Sequence, residues 1–195
     1  MRARKPGNSH ATLWAIATLA GLLVAAPLGA VIMRALSLDE LVESSDRVVV
    51  ATVLSNESRW NDEHTRIYTY TTVRVEEYLK GSGAAGDTLV IRTLGGAVGE
   101  MGLHIEGAPV FRPNDKEVIF LFSVSGASEL GVQGWNQGRF KVLPHPGTGE
   151  LMVVRGLAGT RVVATQGETT GSEFRAIRTL DDLRTAVRSR LRKED

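Results

Sequence analysis

The sequence predicts a mainly β fold, a small barrel or sandwich with a short helix before it and an amphipathic helix at the C-terminus. Three observations support this prediction. Short segments rich in β-branched residues recur between glycine turns. Along one long segment, residues 65–79, β-branched side chains alternate with mostly aromatic or charged ones, with a period of two. The C-terminal residues place apolar side chains at helical spacing.

Residues 1–30 have the order of an export signal. Three basic residues precede an uncharged apolar run, and small residues follow at Leu28-Gly29-Ala30, where we expect cleavage. The alternative is an uncleaved membrane anchor at about residues 11–33, because about 20 apolar residues can span a bilayer. Pro27 disfavours a continuous helix there. Both alternatives predict an extracytoplasmic protein, either secreted or periplasmic, or anchored in the inner membrane by its N-terminal segment.

Composition narrows the classes of function. The chain has 195 residues, with 23 Lys and Arg against 22 Asp and Glu. Three of the basic residues and none of the acidic ones lie in residues 1–30, which leaves 20 against 22, a formal charge of −2. No basic field remains to attract nucleic acid, and we expect membrane contact only through the N-terminal segment. Cysteine is absent, which excludes thiol catalysis, thiolate zinc sites and thiol redox chemistry. The length predicts a single β-rich globular domain at residues 37–195.

The domain is expected to open with a helix followed by two strands. Ser37 caps the helix, because Glu40 stands three residues on, as a capping box requires. The valine-rich segment Arg47–Leu54 predicts a buried strand. Asn56–His64 is polar and predicts a loop. Thr65–Leu79 is the clearest strand, half solvated, because β-branched and aromatic residues occur there with a period of two.

The second half of the chain predicts further short strands and a closing helix. The strands are predicted at Thr88–Leu94, Leu103–Glu106, Glu117–Val124, Gly131–Trp135, Arg139–Leu143, Leu151–Arg155 and Arg161–Thr165. We expect the last four to form two consecutive pairs, with a turn at His145–Gly149 between the pairs. Phe174–Arg192 closes the chain, and within it Thr179 with Asp182 caps an amphipathic helix that carries Leu180, Leu183, Val187 and Leu191 on one side.

Two places are candidates for ligand binding. Trp60 lies in a polar segment, and Trp135 is followed by Asn136 and Gln137, so aromatic rings and amides could form a recognition patch. The structural alternative is core packing next to a turn.

The second candidate is a glycine-rich loop with Gly95, Gly96 and Gly99, whose backbone N–H groups could bind an anion. The structural alternative is a turn that needs positive φ angles or a close backbone approach. No lysine, arginine or helix start stands close by in the sequence, which favours that alternative.

The sequence has no strong catalytic or metal-binding signature. It contains no His-Glu-x-x-His, Gly-x-Ser-x-Gly or Ser-x-x-Lys motif. Asp62-Glu63-His64 and His104-Ile105-Glu106 could each supply metal ligands, but surface residues show the same pattern and zinc usually takes three or four protein ligands. We therefore predict no metal, no cofactor and no catalytic residue. A triad assembled from distant residues stays open.

Three segments together resemble a known family. They are residues 41–53 (LVESSDRVVVATV), 70–81 (YTTVRVEEYLKG) and 86–91 (GDTLVI). The run resembles uncharacterised exported bacterial proteins. It is distantly similar to the netrin-like module of tissue metalloproteinase inhibitors, in which a Ser-Asp-x-Val-Val segment leads into the first barrel strand and Lys-Gly ends a later one. The resemblance implies an OB-like five-stranded barrel with flanking helices. Inhibition in that family depends on an N-terminal cysteine, so no functional residue is carried over to this chain.

The sequence favours an exported, non-enzymatic binding or interaction module whose ligand is unknown and whose partner is an unknown protein or envelope component. Two alternatives stay open: an exported hydrolase with a site assembled from distant residues, and a structural accessory protein of the cell envelope. A pocket that joins His64 or His104 to carboxylates would favour the hydrolase. A grooved face that bears Trp60 and Trp135 would favour binding.

Overall fold

The computed structural model describes residues 32–156, 161–163 and 172–194, all within the compact unit Val31–Asp195. The predicted export signal lies outside the described residues. The strands are β1 (Ile32–Arg34), β2 (Arg47–Trp60), β3 (Ile67–Lys80), β4 (Thr88–Leu94), β5 (Gly96–Val98), β6 (Met101–Leu103), β7 (Lys116–Ser123), β8 (Leu130–Val132), β9 (Arg139–Pro144), β10 (Leu151–Arg155) and β11 (Arg161–Val163). The helices are α1 (Leu38–Glu43), α2 (Ser172–Ala176) and α3 (Leu180–Glu194), with a 3₁₀ helix at Trp135–Gly138.

A seven-stranded sheet dominates the fold, in the order β10-β9-β7-β2-β3-β4-β8. The last strand, β8, also pairs with β7 through three residue pairs, from Leu121 with Val132 to Ser123 with Leu130. The sheet therefore curls until β8 contacts both β7 and β4. The contact with β4 is one parallel pair, Ile91 with Leu130, so the curled sheet is open beyond that pair. The mainly β fold with flanking helices is confirmed; a closed barrel is not.

Two apolar cores lie on opposite sides of the sheet, and β2 contributes to both. Val49 and Val53 face the inside of the curl, while Val48 and Val50 face the helices. Successive residues of a strand point to opposite faces, so a strand buried on both faces needs apolar residues throughout. The buried strand predicted at Arg47–Leu54 is confirmed. Fully burying an aliphatic side chain contributes about 1.5–3 kcal/mol. The helices cover their core with Leu38, Leu41, Val42, Leu180, Leu183 and Val187.

Both predicted helix caps are present. The Ser37 hydroxyl oxygen accepts from the Glu40 N–H at 3.1 Å, and the Glu40 carboxylate accepts from the Ser37 N–H at 2.8 Å. Before α3, Thr179 and Asp182 exchange the same two bonds, at 3.0 and 2.9 Å. The amphipathic helix predicted after the Thr179 cap is confirmed as α3, which begins at Leu180; the short helix α2 precedes it and ends at Ala176.

The prediction of a loop at Asn56–His64 is wrong for its first part, because β2 continues to Trp60. Its polar residues are bonded across the sheet: the Thr71 hydroxyl donates to the Asn56 side chain at 2.8 Å. The actual loop is residues 61–66. There the Asn61 side-chain oxygen accepts from two backbone N–H groups, those of Thr65 and Arg66, each at 2.8 Å.

Strand pairing in the second half departs from the expected hairpins. β9 pairs with β7 and β10, not with β8. β11 pairs in parallel with β1, and not with β10. The strand expected at Leu103–Glu106 is instead β6, which ends at Leu103. The strand expected at Gly131–Trp135 ends at Val132, and a 3₁₀ helix begins at Trp135. The predicted turn at His145–Gly149 is confirmed between β9 and β10. Part of the expected strand Arg161–Thr165 lies outside the described residues.

None of the helices in the described part of the chain is both long enough and apolar enough to span a membrane.

Candidate functional site

The outward side of β2, β3 and β4 is rich in aromatic and arginine side chains. We call this surface the open face; its outward residues are Glu57, Arg59, Tyr68, Tyr70, Thr72 and Arg92. The guanidinium carbon of Arg59 lies 3.7 Å from the centre of the Tyr70 ring, and that of Arg92 lies 5.2 Å from the Tyr68 ring. Each arginine thus stacks diagonally across the sheet on a tyrosine of β3, which holds the guanidinium at the surface.

Two loops wall one end of the open face and form a cleft of about 530 Å³, which we call the loop cleft. One wall is the loop after β2, where the Trp60 and His64 rings stack with centroids 6.2 Å apart. The other is residues 126–129, before β8. The floor is Tyr68, Tyr70 and Arg92. The cleft therefore offers aromatic surface together with two arginines and, on its walls, the carboxylates of Asp62 and Glu129.

The two arginines of the open face differ in their partners. Arg59 forms a long ion pair with Glu129, 3.8 Å apart. Arg92 is half-buried and stacks on Tyr68, but it forms no hydrogen bond or ion pair with any residue the structure describes. A guanidinium carries five N–H donors and stays charged at any physiological pH. Arg92 thus presents positive charge and donors at the point where the two clefts meet.

Trp135 lines a second cleft of about 290 Å³ with Phe122 and Pro109, and this seam cleft shares Arg92 with the loop cleft. Trp135 is 38 % exposed and has a φ of 58°, which is rare for a bulky residue. Gly134 before it has a φ of 61°, and a Cβ there would lie 2.4 Å from Leu36. The positive φ favours glycine at this position, and the tight turn directs the indole outward.

Neither Asn136 nor Gln137 lines the clefts that contain Trp60 and Trp135. Both are buried. The Gln137 side chain accepts from the Leu36 N–H at 2.8 Å and donates to the Arg34 carbonyl at 2.9 Å. Asn136 donates to the Ala108 carbonyl and accepts from Arg139. The two tryptophans lie at neighbouring clefts, but the two amides predicted to join them hold backbone segments instead.

Two more arginines complete this amide-centred region, which we call the brace: Gln137, Asn136, Arg139, Glu117 and Arg155. Arg139 makes two hydrogen bonds to the carboxylate of Glu117, which is fully buried. Arg155 donates to the Gln137 and Leu36 carbonyls and lies 3.7 Å from the Phe174 ring centre. Burial lowers the pKa of Arg155 to about 10, which leaves it charged at neutral pH. The brace fixes the segment at residues 34–36 onto the sheet.

The predicted anion loop lies beside a third depression, of about 580 Å³, lined by hydroxyl and amide side chains from β2, β3 and β4. We call it the hydroxyl groove. The Thr69 hydroxyl donates to the Gly95 carbonyl at 2.7 Å, so the Ser58 hydroxyl, 2.9 Å away, must donate to Thr69. The Gly95 N–H is occupied by the Ile67 carbonyl.

The other two glycines of that loop do not converge with Gly95 on one point. A Cβ on Gly96 would lie 2.4 Å from both Ser58 and Thr69. Gly99, with a φ of 59°, turns the chain between β5 and β6 in open space. The geometry matches the close approach and positive φ of the structural alternative.

None of the histidines in the described part of the chain lies in a cluster of carboxylates. His104 is at the rim of the hydroxyl groove, and its ring nitrogen lies 3.5 Å from Glu106, with 86 % of the His104 side chain exposed. His64 is stacked on Trp60. In the residues with described positions, no group of three or more His, Cys, Asp or Glu is arranged to hold a metal ion.

Comparisons with protein families, curated proteins and solved structures found no match for this chain. The sequence alone did not single out Arg59, Tyr68, Tyr70 or Arg92 as site residues. A signal was available, because the tyrosines occupy the more polar face of the alternating segment Thr65–Leu79. The arginines come from other strands, and only the pairing of β3 with β2 and β4 brings them to the tyrosines.

Proposed function

We propose that this protein is an exported, non-enzymatic binding module that holds its ligand on the open face. The proposal includes an extracytoplasmic location, secreted or periplasmic, with residues 1–30 acting as the export signal. It also includes an OB-like fold for the curled sheet. OB folds are partly open five-stranded barrels. Three features of the sheet support that assignment: the strand order β2-β3-β4-β8-β7, the pairing of β7 with β2, and the parallel pairing of β4 with β8.

The observation that carries the function is the junction of the loop cleft and the seam cleft at Arg92. Trp60 and Trp135 line the two clefts, and Arg92 lines both. Large aromatic rings and arginine are the residues that supply most binding energy at interfaces. In an OB fold the corresponding strands and the two flanking loops form the ligand surface, which is where the loop cleft lies.

The hydroxyl groove is larger but supports binding less well. The donor protons of Ser58, Thr69 and Thr71 go to other protein groups. A ligand would have to replace bonds that already exist, which gains little free energy. Arg92 has no such bond to give up within the described residues.

Binding is tested with the envelope fraction of the producing cells as the probe. We expect the purified chain to be retained by this fraction, and retention to fall about tenfold in Arg92→Gln and in Trp60→Ala. Arg112→Gln is the matched control, because Arg112 is an exposed arginine away from both clefts. Equal retention of all three variants would overturn the open face as the binding site.

Export is tested separately by N-terminal sequencing of the protein recovered from the cells. A chain that begins at Val31 and is found outside the cytoplasm is the expected result. A chain that keeps residues 1–30 in the membrane fraction would support the anchor. Recovery of the unprocessed chain in the cytoplasm would contradict export.

A further inference from the structure

We infer that the gap between β4 and β8 takes an extended peptide as an added strand, held through its backbone and through a carboxylate that binds Arg92. The inference rests on the proposed function, because Arg92 belongs to the open face. It adds the class of ligand, an extended peptide segment with an acidic residue. It also names the contact, backbone hydrogen bonds to a sheet edge.

The first step is the direction of the backbone groups on β4. The Gly95 N–H donates to the Ile67 carbonyl on β3. Antiparallel pairs alternate between bonded and non-bonded, so Thr93, two residues before Gly95, also bonds to β3. The N–H and C=O groups of Arg92 and Leu94 therefore point to the other side, toward β8.

The second step is the same argument on β8. The Gln133 N–H donates to the Phe120 carbonyl on β7, so the neighbouring residue Val132 turns its N–H and C=O away from β7 and toward β4. Between β4 and β8 the structure records one pair, Ile91 with Leu130. In a parallel pair one residue bonds to the two neighbours of its partner, and Ile91 bonds to β3, so the Leu130 C=O takes the Arg92 N–H. Past that point no further residue pair joins the two strands, which leaves the Arg92 C=O and the backbone groups of Leu94 and Val132 facing the gap.

The third step is the size and lining of the gap. The seam cleft lies there, with Arg92, Thr93 and Leu94 on one side and Gly131 and Val132 on the other. At about 3.4 Å per residue, the exposed edge of β4 matches two or three residues of an extended chain. Backbone donors and acceptors along an open strand edge can pair with another strand, and an added strand supplies those partners.

The fourth step concerns side chains. Alternate residues of an added strand would point to opposite faces of the sheet. On the outward face stands Arg92, whose guanidinium has no anionic partner among the described residues and matches a carboxylate. Phe122 and Trp135, which are 37 % and 38 % exposed, border the cleft with Pro109 and provide an apolar wall. The preferred segment therefore has an acidic residue close to a bulky apolar one.

The probe is a random seven-residue peptide library, selected for binding to the full chain purified as the cell exports it. We expect selected peptides to contain an acidic residue beside β-branched or aromatic residues. The best peptide is then synthesised and its Kd measured. Arg92→Gln should weaken binding about tenfold to a hundredfold, and Arg112→Gln should leave it unchanged.

The backbone contact is tested by Leu94→Pro, which removes the N–H that points into the gap and spares the bonds between β4 and β3. We expect a loss of about tenfold or more, against less than about threefold for Leu94→Ala. If Leu94→Pro does not fold, the backbone contact is tested on the wild-type protein with peptides that are N-methylated at alternate residues. One set of alternate N-methyl groups should abolish binding, and the other should not.

Trp135 reports the position of the peptide. In a Trp14→Phe, Trp60→Phe background it is the one remaining tryptophan. We expect its emission to shift to shorter wavelength when the selected peptide binds. A library that yields no binder, or peptides that bind Arg92→Gln and Leu94→Pro as tightly as wild type, would overturn the inference. If envelope retention still depends on Arg92 and Trp60 in that case, the proposed function stands and the peptide assignment alone falls.

Discussion

The brace and the open face contain the same kind of contact, an arginine stacked on an aromatic ring, yet they differ in what neutralises the arginine. Arg139 lies 4.4 Å from the Phe111 ring centre and binds the buried carboxylate of Glu117. Arg92 lies 5.2 Å from the Tyr68 ring centre and has no carboxylate partner in the described ranges. The first arginine is neutralised in the interior of the domain, whereas the second keeps its positive charge at the surface.

The difference shows that residue type alone does not separate the structural brace from the proposed binding face. A stacked arginine contributes about 0.5–1 kcal/mol at an exposed position and about 2 kcal/mol where the contact is desolvated, so stacking occurs in both settings. What separates the two regions is whether every donor already has an acceptor. In the brace, removing one group leaves a buried partner unsatisfied, which is costly. On the open face, removing Arg92 leaves nothing buried behind it, so only binding should change.

The largest effect is expected from breaking the ion pair in the brace. Arg139→Met leaves the Glu117 carboxylate buried without a partner, and we expect the free energy of unfolding to fall by about 3–5 kcal/mol. Urea denaturation measures the loss. Adding Glu117→Leu to Arg139→Met removes the stranded charge and should restore most of the stability. A loss below about 1 kcal/mol in the single variant would contradict the structural role of the pair.

A smaller loss is expected from Gln137→Ala. The substitution leaves the Leu36 N–H and the Arg34 carbonyl without their side-chain partner, at a cost of about 1–3 kcal/mol. Gln133→Ala is the matched control, a partly exposed glutamine four residues away. Thermal unfolding compares the two. If both variants unfold with the wild type, the segment at residues 34–36 does not depend on the brace.

These two regions also show how far the sequence could be interpreted. The caps at Ser37 and Thr179 were predictable because the bonds join residues three positions apart. The stretch Trp135-Asn136-Gln137 was misleading for the opposite reason. A single turn of 3₁₀ helix places the indole at the surface and the amides in the interior, and nothing in the three letters separates them.

The open face was out of reach for a related reason. Its composition depends on strand order, and strand order depends on non-local pairing. The expected hairpins in the second half of the chain were wrong, because β11 pairs with β1 and β9 pairs with β7, and neither pair is adjacent in sequence. The prediction ended β2 at Leu54 because apolar residues are lacking after it. Cross-strand side-chain hydrogen bonds at Asn56 and Ser58 nevertheless join the rest of this strand to β3.

Acid should lower the free energy of unfolding through carboxylates whose pKa values are lowered in the folded state. The Ser123 N–H donates to Asp46 at 2.6 Å and holds the pKa of that carboxyl below its usual 3.8. A carboxyl whose pKa is lower in the folded state stabilises the fold above its unfolded pKa, and loses this contribution as the pH falls through the folded value. We expect Asp46→Asn to be less stable than wild type at neutral pH. The difference should shrink as the pH falls below 3.8 and vanish once the folded-state carboxyl is protonated. A gap that widens in acid would contradict the assignment.

The smallest effect on folding, with the largest effect on function, is expected at Arg92. Arg92→Gln should unfold within about 0.5 kcal/mol of the wild type, since it removes one exposed stacking contact and no ion pair. The most direct test of the account is to measure, on the same preparations of Arg92→Gln and Arg112→Gln, both the unfolding midpoint and retention by the envelope fraction. We predict that both variants fold as the wild type does and that only Arg92→Gln loses retention. Retention by Arg92→Gln at the wild-type level, with folding intact, would contradict the account.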